Sequence, residues 1–462
     1  MMNIIAFIFI YRVTLHPLSR YPGPLIAKFS DWYGTYYALR MRLHTVTRHD
    51  HLKYGPIIRH GPNKLVFSTL RELHGIYDSD RIVKSHACLV TVNPPNYCVF
   101  NVIDQPSHRV KRKLIVQVVS ERSMRIFEPT MEQIDIFIQQ LLQSTQNSEA
   151  PRPLNMTPLA KSLGLDIVCL LAFGYPLNTQ TAATNHHIRD GIPAVFHLFT
   201  DARQRRMRYQ KTIEHLVNSR VAEDKNARHD LYSMAADAVD AQEIRASEIW
   251  AEALFFFLAG GDKVATGLSA LFFYLSRNTE CYTKLCREIR TTFPSSTELR
   301  GGPRLASCRY LRACIDEALR MSPLVAGTLW REQSETDNSP LFVDGHFIPR
   351  GTQVGMNIYT LHHNEEYFPD PVMHDAFVPF SIEYRGCAGK AMAYLEFSLA
   401  MTKTLWYFDF EVAPGKLGYI GAGRDRADEF QLFDVFASTH DGPYLVFRPR
   451  DDFCHDLLSK SP

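Results

Sequence analysis

Along the chain, apolar residues recur with helical spacing over long stretches and with strand spacing only over short ones. Amphipathic runs over Glu121–Leu142, Arg203–Glu223 and Ser247–Arg277 predict helices. Short apolar pieces bounded by turn residues predict strands. Ile57–Arg59 and Lys64–Phe67, joined by Gly61-Pro62-Asn63, read as a hairpin; further strands fall near Leu341–Ile348 and Thr352–Asn357, and a last hairpin turns at Asp441-Gly442 before Tyr444–Phe447. Many helices with small peripheral sheets make a mainly α fold of mixed α+β type. No repeat or low-complexity linker divides the chain, so a short N-terminal segment (1–24) followed by one continuous domain (25–462) is the simplest organisation.

The helix over Ser247–Arg277 carries an apolar run, Leu254–Leu275, long enough to imitate a membrane span, but Asp262 and Lys263 sit in its middle, where lipid would penalise them. Ala259-Gly260-Gly261 precede them. Two glycines inside a helix cost about 1 kcal/mol each relative to alanine. Either a flat group lies against the backbone there or another helix crosses closely. At the N-terminus, Met2–Ile10 is apolar but well short of the roughly 20 residues that cross a bilayer, and it lacks a signal peptide's basic start and cleavage site. Arg12, His16 and Arg20 then lead into Pro22-Gly23-Pro24. This pattern predicts a shortened membrane anchor with a cytosolic basic flank, or an apolar element packed on the domain.

Composition narrows the function. With 45% hydrophobic and 22% charged residues over 462 positions, the chain is neither disordered, fibrous nor multi-span. Lys and Arg total 51 against 49 Asp and Glu, a balance that gives no support to a nucleic-acid partner. Nine scattered cysteines without a Cys-x-x-Cys pair exclude a disulfide framework and a zinc ribbon. Eight of them read as reduced core residues.

Cys387 stands apart. It lies in Phe380-Ser381-Ile382-Glu383-Tyr384-Arg385-Gly386-Cys387-Ala388-Gly389, a glycine-containing loop ahead of a helix-like stretch from Lys390 to Leu399. Backbone dipoles at a helix start favour a thiolate, the form that ligates metal. Arg385 adds positive charge or binds an anion, and Phe380 shields the sulfur. An axial thiolate for haem iron and an inert cysteine in a turn are the two readings.

With these residues the sequence resembles the cytochrome P450 family, haem-thiolate monooxygenases whose fold lays a long central helix over the haem, and the likeness covers nearly the whole chain. Phe380, Arg385, Cys387 and Gly389 fill four positions of the family's Phe-x-x-Gly-x-Arg-x-Cys-x-Gly haem-binding pattern, with Glu383 in place of its glycine. Glu317 and Arg320 match Glu-x-x-Arg, whose spacing allows a charge-assisted pair on one helix face. The Pro-Glu-Arg-containing segment that usually follows is absent between Phe368 and Phe377. Ala259-Gly260-Gly261-Asp262-Lys263-Val264 match the distal segment in which an acid and a hydroxyl deliver protons during oxygen activation. Here Lys263 and Val264 stand where hydroxyls are usual, so Asp262 and Lys263 become the catalytic candidates. A buried Lys263 would lose its proton or pair with an acid such as Asp262; alternatively it points to solvent.

The resemblance further implies that His108, Arg112 and Arg331 bind the haem propionates, and that Phe256, Ala259, Val325 and Ala326 line a substrate pocket. It implies haem b (iron protoporphyrin IX) as cofactor and electrons from NADPH through a cytochrome reductase; the basic edge of Arg109, Lys111 and Lys113 is either the docking site of that reductase or a solvated helix face. Arg203, Arg205, Arg206 and Arg208 form a second basic cluster, a solvated helix face or a contact with lipid headgroups.

His16-Pro17-Leu18-Ser19-Arg20-Tyr21-Pro22-Gly23-Pro24 and His362-His363-Asn364 carry a narrower likeness to membrane-bound fungal enzymes of secondary metabolism. That likeness implies oxidation, by hydroxylation above all, of an apolar small molecule, at the endoplasmic reticulum membrane with the catalytic domain in the cytosol. A haem isomerase or dehydratase that does not reduce dioxygen, and a non-catalytic haem or ligand binder, are the alternatives.

Overall fold

Ile57–Gly61 and Lys64–Phe67 form the expected antiparallel hairpin, with Ile57 opposite Phe67 and Ile58 opposite Val66. Its second strand runs parallel to Gln353–Met356, and the sheet continues through Arg331–Gln333 to Ile82–Lys84. Branched and aromatic residues on its faces build one core, in which Leu65, Phe67, Leu73, Ile76, Val354 and Met356 are essentially inaccessible to solvent. Leu341–Val343 and His346–Ile348 resolve the strand pattern near 341–348 into a small hairpin turning at Asp344-Gly345, both with positive φ.

The computed structural model describes residues 2–91, 96–119, 128–146, 152–191, 200–228, 230–368 and 375–450. The chain builds two compact units from interleaved segments. One comprises Met1–His108, Pro323–Cys387 and Phe433–Ser438, and contains the five-stranded sheet; the other comprises Arg109–Ser322, Ala388–Leu432 and Thr439–Pro462.

The second unit is helical. Its long helix, Ala246–Arg277, covers the expected range, and the helix expected over 203–223 spans Thr200–Ala222. The helix expected from Glu121 is described from Glu128 to Gln146; residues 120–127 lie outside the described residues. Met156–Phe173 and the long helix are both long and apolar enough to cross a membrane, yet each is mostly buried inside this unit, as core helices are. They cross backbone against backbone. A Cβ on Gly164 would sit 2.7 Å from the Gly261 carbonyl oxygen, one on Gly261 would meet the Leu165 side chain at 2.7 Å, and one on Gly260 would meet Val168 at 2.5 Å. The two glycines are therefore accounted for by the helix crossing.

The expected last hairpin is not formed at Asp441-Gly442. Tyr444–Pro449 instead pairs with Phe408–Val412 on one side and Leu154–Asn155 on the other. Its apolar side chains find a better partner there, since Phe447 joins Phe272, Phe408 and Phe410 in an aromatic cluster. A hairpin that the pattern did not mark is formed a few residues earlier by Phe433–Val435 and Ala437–Thr439, turning at Phe436.

Candidate functional site

In the first unit, the loop from Val378 to Cys387 folds back on itself through backbone bonds: Ser381 donates to Val378 (3.0 Å), Gly386 to Glu383 (2.8 Å) and Cys387 to Phe380 (2.7 Å). Val378 donates to His362 Nε2 at 3.0 Å, which pins the loop to the helix Ile358–His362. Phe380 is buried beneath it, while the Cys387 side chain is exposed. Glu383, at the family's glycine position, has φ of +55°, a left-handed conformation that glycine adopts freely and a side chain resists. The glycine in the pattern is thus a backbone requirement, which glutamate meets under strain. Gly389 immediately precedes the helix Lys390–Tyr407, where its carbonyl accepts from Ala393.

Around this loop the first unit gathers cations. Arg385 donates from Nη1 to the Val102 carbonyl (3.3 Å) and from Nη2 to that of Ile103 (2.9 Å). The Tyr384 hydroxyl accepts from Gln105, and the buried His108 ring lies edge-on to Tyr384 with centroids 6.1 Å apart. Arg331 and Lys84 stand directly opposite each other on paired strands, both buried. Like charges so placed repel. Lys84 donates to the Val99 (2.7 Å) and Phe100 (2.6 Å) carbonyls, and Arg331 to its neighbour's carbonyl, with its guanidinium over the Tyr77 ring. Among the described residues no carboxylate pairs with either. Burial first, then the charges of Arg385 and Arg331, pushes the Lys84 amine down to about 7. Burial likewise lowers Arg331. Nothing local in the sequence marks Lys84, because only strand register sets it against Arg331.

These residues suit an anionic, metal-holding macrocycle. Buried cations lacking carboxylates match the acidic edge of a haem, and an exposed thiol in a fixed loop matches its axial position. Among the described residues, no cluster of three or more His, Cys, Asp or Glu is arranged to hold a metal ion without such a macrocycle.

In the second unit, the Asp262 carboxylate is taken by Lys161 of the helix Met156–Phe173, at 2.7 Å; Lys263 is half-buried. Lys161 also donates to Thr439 Oγ1 at 3.2 Å. One turn beyond Asp262, outside the matched motif, stands a hydroxyl. Thr266 donates to the Asp262 carbonyl (3.0 Å) and meets His440 Nδ1 at 2.9 Å. Burial foremost, with the charge of Lys161, pushes His440 well below its ordinary value, so the ring is neutral and its Nδ1–H can donate to Thr266 Oγ.

Glu317 and Arg320 form a two-pronged pair at 2.7 and 2.6 Å, on the exposed side for Glu317. The helix Arg309–Met321 is tied to Lys390–Tyr407 through a different acid. Asp316 accepts from the Tyr394 hydroxyl (2.6 Å) and from Arg312 (2.7 Å), whose guanidinium lies 3.6 Å above the Tyr394 ring. The stretch 369–374, where the Pro-Glu-Arg segment would fall, lies outside the described residues.

Of the remaining candidates, Phe256 is buried and Ala259 half-buried in the second unit. Val325 is half-buried and Ala326 fully buried in the first, the Ala326 carbonyl accepting from Tyr359. Arg112 follows His108 by one helical turn. The basic edge expected at 109–113 is not continuous. Arg109 and Lys113 are exposed, but Lys111, roughly 200° around the helix from each, is buried between Glu248 (3.2 Å) and Glu252 (3.3 Å). Arg208 is exposed, and the side chains of Arg203, Arg205 and Arg206 lie outside the described ones.

A family model for cytochrome P450 matches residues 31–417. Curated relatives extend the match to both ends. A cytochrome P450 monooxygenase, apf7, of Gibberella fujikuroi is 29% identical, with 96% of this chain and 95% of that protein aligned. Two others, AKT7 of Alternaria alternata and poxM of Penicillium oxalicum, are each 31% identical over 95% of this chain, covering 94% and 91% of their own lengths.

Proposed function

The chain belongs to the cytochrome P450 family, as a monooxygenase of the kind found in fungal secondary metabolism, and from that premise we propose that it hydroxylates an apolar small molecule, using dioxygen and electrons drawn from NADPH through a cytochrome reductase. The observation that carries the reading is the exposed Cys387 loop in the unit that also buries Lys84 and Arg331 without a carboxylate. When bound, haem supplies the oxidising chemistry, which a donated thiolate charge favours.

Cys387 offers the thiolate, and Phe380 beneath the loop keeps water from its base. Lys84, Arg331 and Arg385, with His108 and Arg112, would hold the cofactor's carboxylates. The Asp316–Tyr394 bond stiffens the helix that follows the cysteine, and the Glu317–Arg320 pair braces the helix Arg309–Met321 from which Asp316 comes. Lys161 fixes the Asp262 carboxylate, and Thr266 is held by the Asp262 carbonyl and His440. Lys263, a half-buried amine, is the proposed proton carrier. Phe256, Ala259, Val325 and Ala326 contribute apolar surface to the substrate. The setting proposed is the cytosolic face of the endoplasmic reticulum membrane.

Purified protein should show a thiolate-type Soret band that moves strongly to the red on reduction under carbon monoxide, and Cys387→Ser should abolish that movement; an unchanged spectrum in the variant refutes the assignment. Substrate-dependent NADPH consumption with a reductase then separates this reading from an isomerase or dehydratase, which would bind haem and consume none. Replacing Lys263 with threonine should change the coupling of NADPH consumption to product.

A further inference from the structure

Among the described residues only two cysteines, Cys281 and Cys387, are exposed. Cys281 was expected in the core and stands instead in the first turn of the helix Thr279–Thr292, which packs against Arg309–Met321 within the second unit. Side chains fix that packing. The Glu288 carboxylate accepts from the Tyr310 (2.9 Å) and Leu311 (2.8 Å) amides, and Lys284 Nζ lies 4.3 Å from the centre of the Tyr310 ring. Cys281, Lys284 and Glu288 follow one another at spacings of three and four, so all three share the face turned to Tyr310.

The Tyr310 hydroxyl donates to the Cys281 sulfur. Cys314 follows Tyr310 by one turn on the same face and is half-buried. The two sulfurs act on each other: burial first, and then the neighbouring Cys281, pushes the Cys314 thiol up to about 12. Cys281 thus offers one sulfur to solvent with a second behind it between the helices. That is the arrangement of a thiol that is oxidised first and a shielded thiol that resolves it. The unit's other described cysteines, Cys169, Cys286 and Cys308, are buried.

We propose that Cys281 and Cys314 form a peroxide-oxidisable dithiol, in which Cys281 is the residue first oxidised and Cys314 closes a reversible disulfide between the two helices. The Cys281 thiolate attacks one oxygen of hydrogen peroxide and the O–O bond breaks. A sulfenic acid forms, and the departing hydroxide leaves as water with the proton that the thiol shed. The Cys314 sulfur then bonds to the sulfenic sulfur, the S–O bond breaks, and a second water departs with the Cys314 proton. Two thiols are oxidised and one peroxide is reduced to two waters; a reducing dithiol reverses the step by exchange and is itself oxidised. The bridge ties Thr279–Thr292 to the helix that holds Tyr394 through Asp316. None of this depends on the haem reading.

The test uses full-length haem-loaded protein, fully reduced, freed of reductant and treated with hydrogen peroxide. After the remaining thiols are capped and the chain is cut after Lys and Arg, residues 278–284 and 313–320 each carry one cysteine. In the monomeric protein these two peptides should be found joined, and dithiothreitol should part them. Cys314→Ser should leave Cys281 as a sulfenic acid that dimedone labels. Cys281→Ser should slow peroxide oxidation of Cys314 roughly tenfold or more. Oxidised wild type should melt several degrees above the reduced protein, since the bridge closes a loop of about 30 residues, and Cys314→Ser should show no such rise. Joining should occur at peroxide doses that leave the carbon monoxide spectrum unchanged, because neither cysteine belongs to the Cys387 loop. Recovery of both peptides singly, with Cys281 oxidised past the sulfenic acid, overturns the proposal. So does joining that occurs only between chains, or only after that spectrum is lost.

Discussion

The two units treat buried positive charge differently. In the second unit, Lys111, Lys161, Arg220 and Lys403 are buried, and each meets a carboxylate of the same unit: Glu248 and Glu252, Asp262, Asp230 and Asp135 respectively. In the first unit, Arg59, Lys84 and Arg331 are equally buried, and among the described residues they find only carbonyls and rings. A buried charge without a counter-charge is a standing penalty. Arg59 offsets it with several carbonyls in a structural clamp. Lys84 also meets two carbonyls and Arg331 one, but the two cations stand opposite each other, and among the described residues no carboxylate offsets that repulsion. The difference teaches that buried cations in the second unit are neutralised within the fold, whereas the facing pair in the first lacks a carboxylate among the described residues, which is what the proposed anionic cofactor would supply.

The contrast can be broken most forcefully in the second unit. Asp230→Ala strands the fully buried Arg220, which loses its 2.7 Å bond, and should destabilise the protein by about 3–5 kcal/mol in denaturant titrations. A loss under 1 kcal/mol would mean that the pair is not structural. Lys84→Met should behave in the opposite way. Haem-free stability should stay within about 1 kcal/mol of wild type or rise, while haem transfer to a scavenging apoprotein quickens roughly tenfold, the worth of a charged hydrogen bond.

The pH dependence sharpens the same point. Lys84 holds its proton with a value of about 7 in the fold against an ordinary 10.5. Between those values the unfolded chain binds more protons, so stability of the haem-free protein should climb as pH rises from about 7 toward 10. Comparing denaturation midpoints across that window, the climb should be missing from Lys84→Met. Glu396 is the second unit's exception, a fully buried carboxyl that burial raises to about 8, so it stays neutral at pH 7 by keeping its proton, an escape an arginine does not have. The smallest effect is expected at the cysteine loop. Glu383→Gly relieves a left-handed φ and should raise stability by about 0.5–1 kcal/mol, read as a higher thermal midpoint with an unaltered Soret band.

Much of this was legible from residue order alone, because local signals carried it. The Ile57–Phe67 hairpin announces itself by its Gly-Pro-Asn turn, the long helix by its period, and the Cys387 loop by its neighbours. What escaped depends on elements distant in sequence meeting in space. Lys84 matters because strand pairing sets it against Arg331, and Asp262 is occupied because a glycine crossing brings Lys161 to it. The same limit explains the misread end of the chain. Asp441-Gly442 is a fair turn signal, but Tyr444–Pro449 pairs with a strand more than thirty residues earlier, where its aromatic side chains are buried. Lys111 looked like surface because basic neighbours flank it, and helical rotation turns it inward.

Arg59 has a practical bearing on anyone who would trim this protein to make it easier to handle. Its guanidinium, wholly enclosed, grips the Pro62 carbonyl with two nitrogens and reaches with the third to the carbonyl of Arg12, while its own amide holds Pro22. Cutting away the greasy leader up to that point would shed the exposed apolar residues, and would also pull one jaw off a vice that the domain closes on its own first turns.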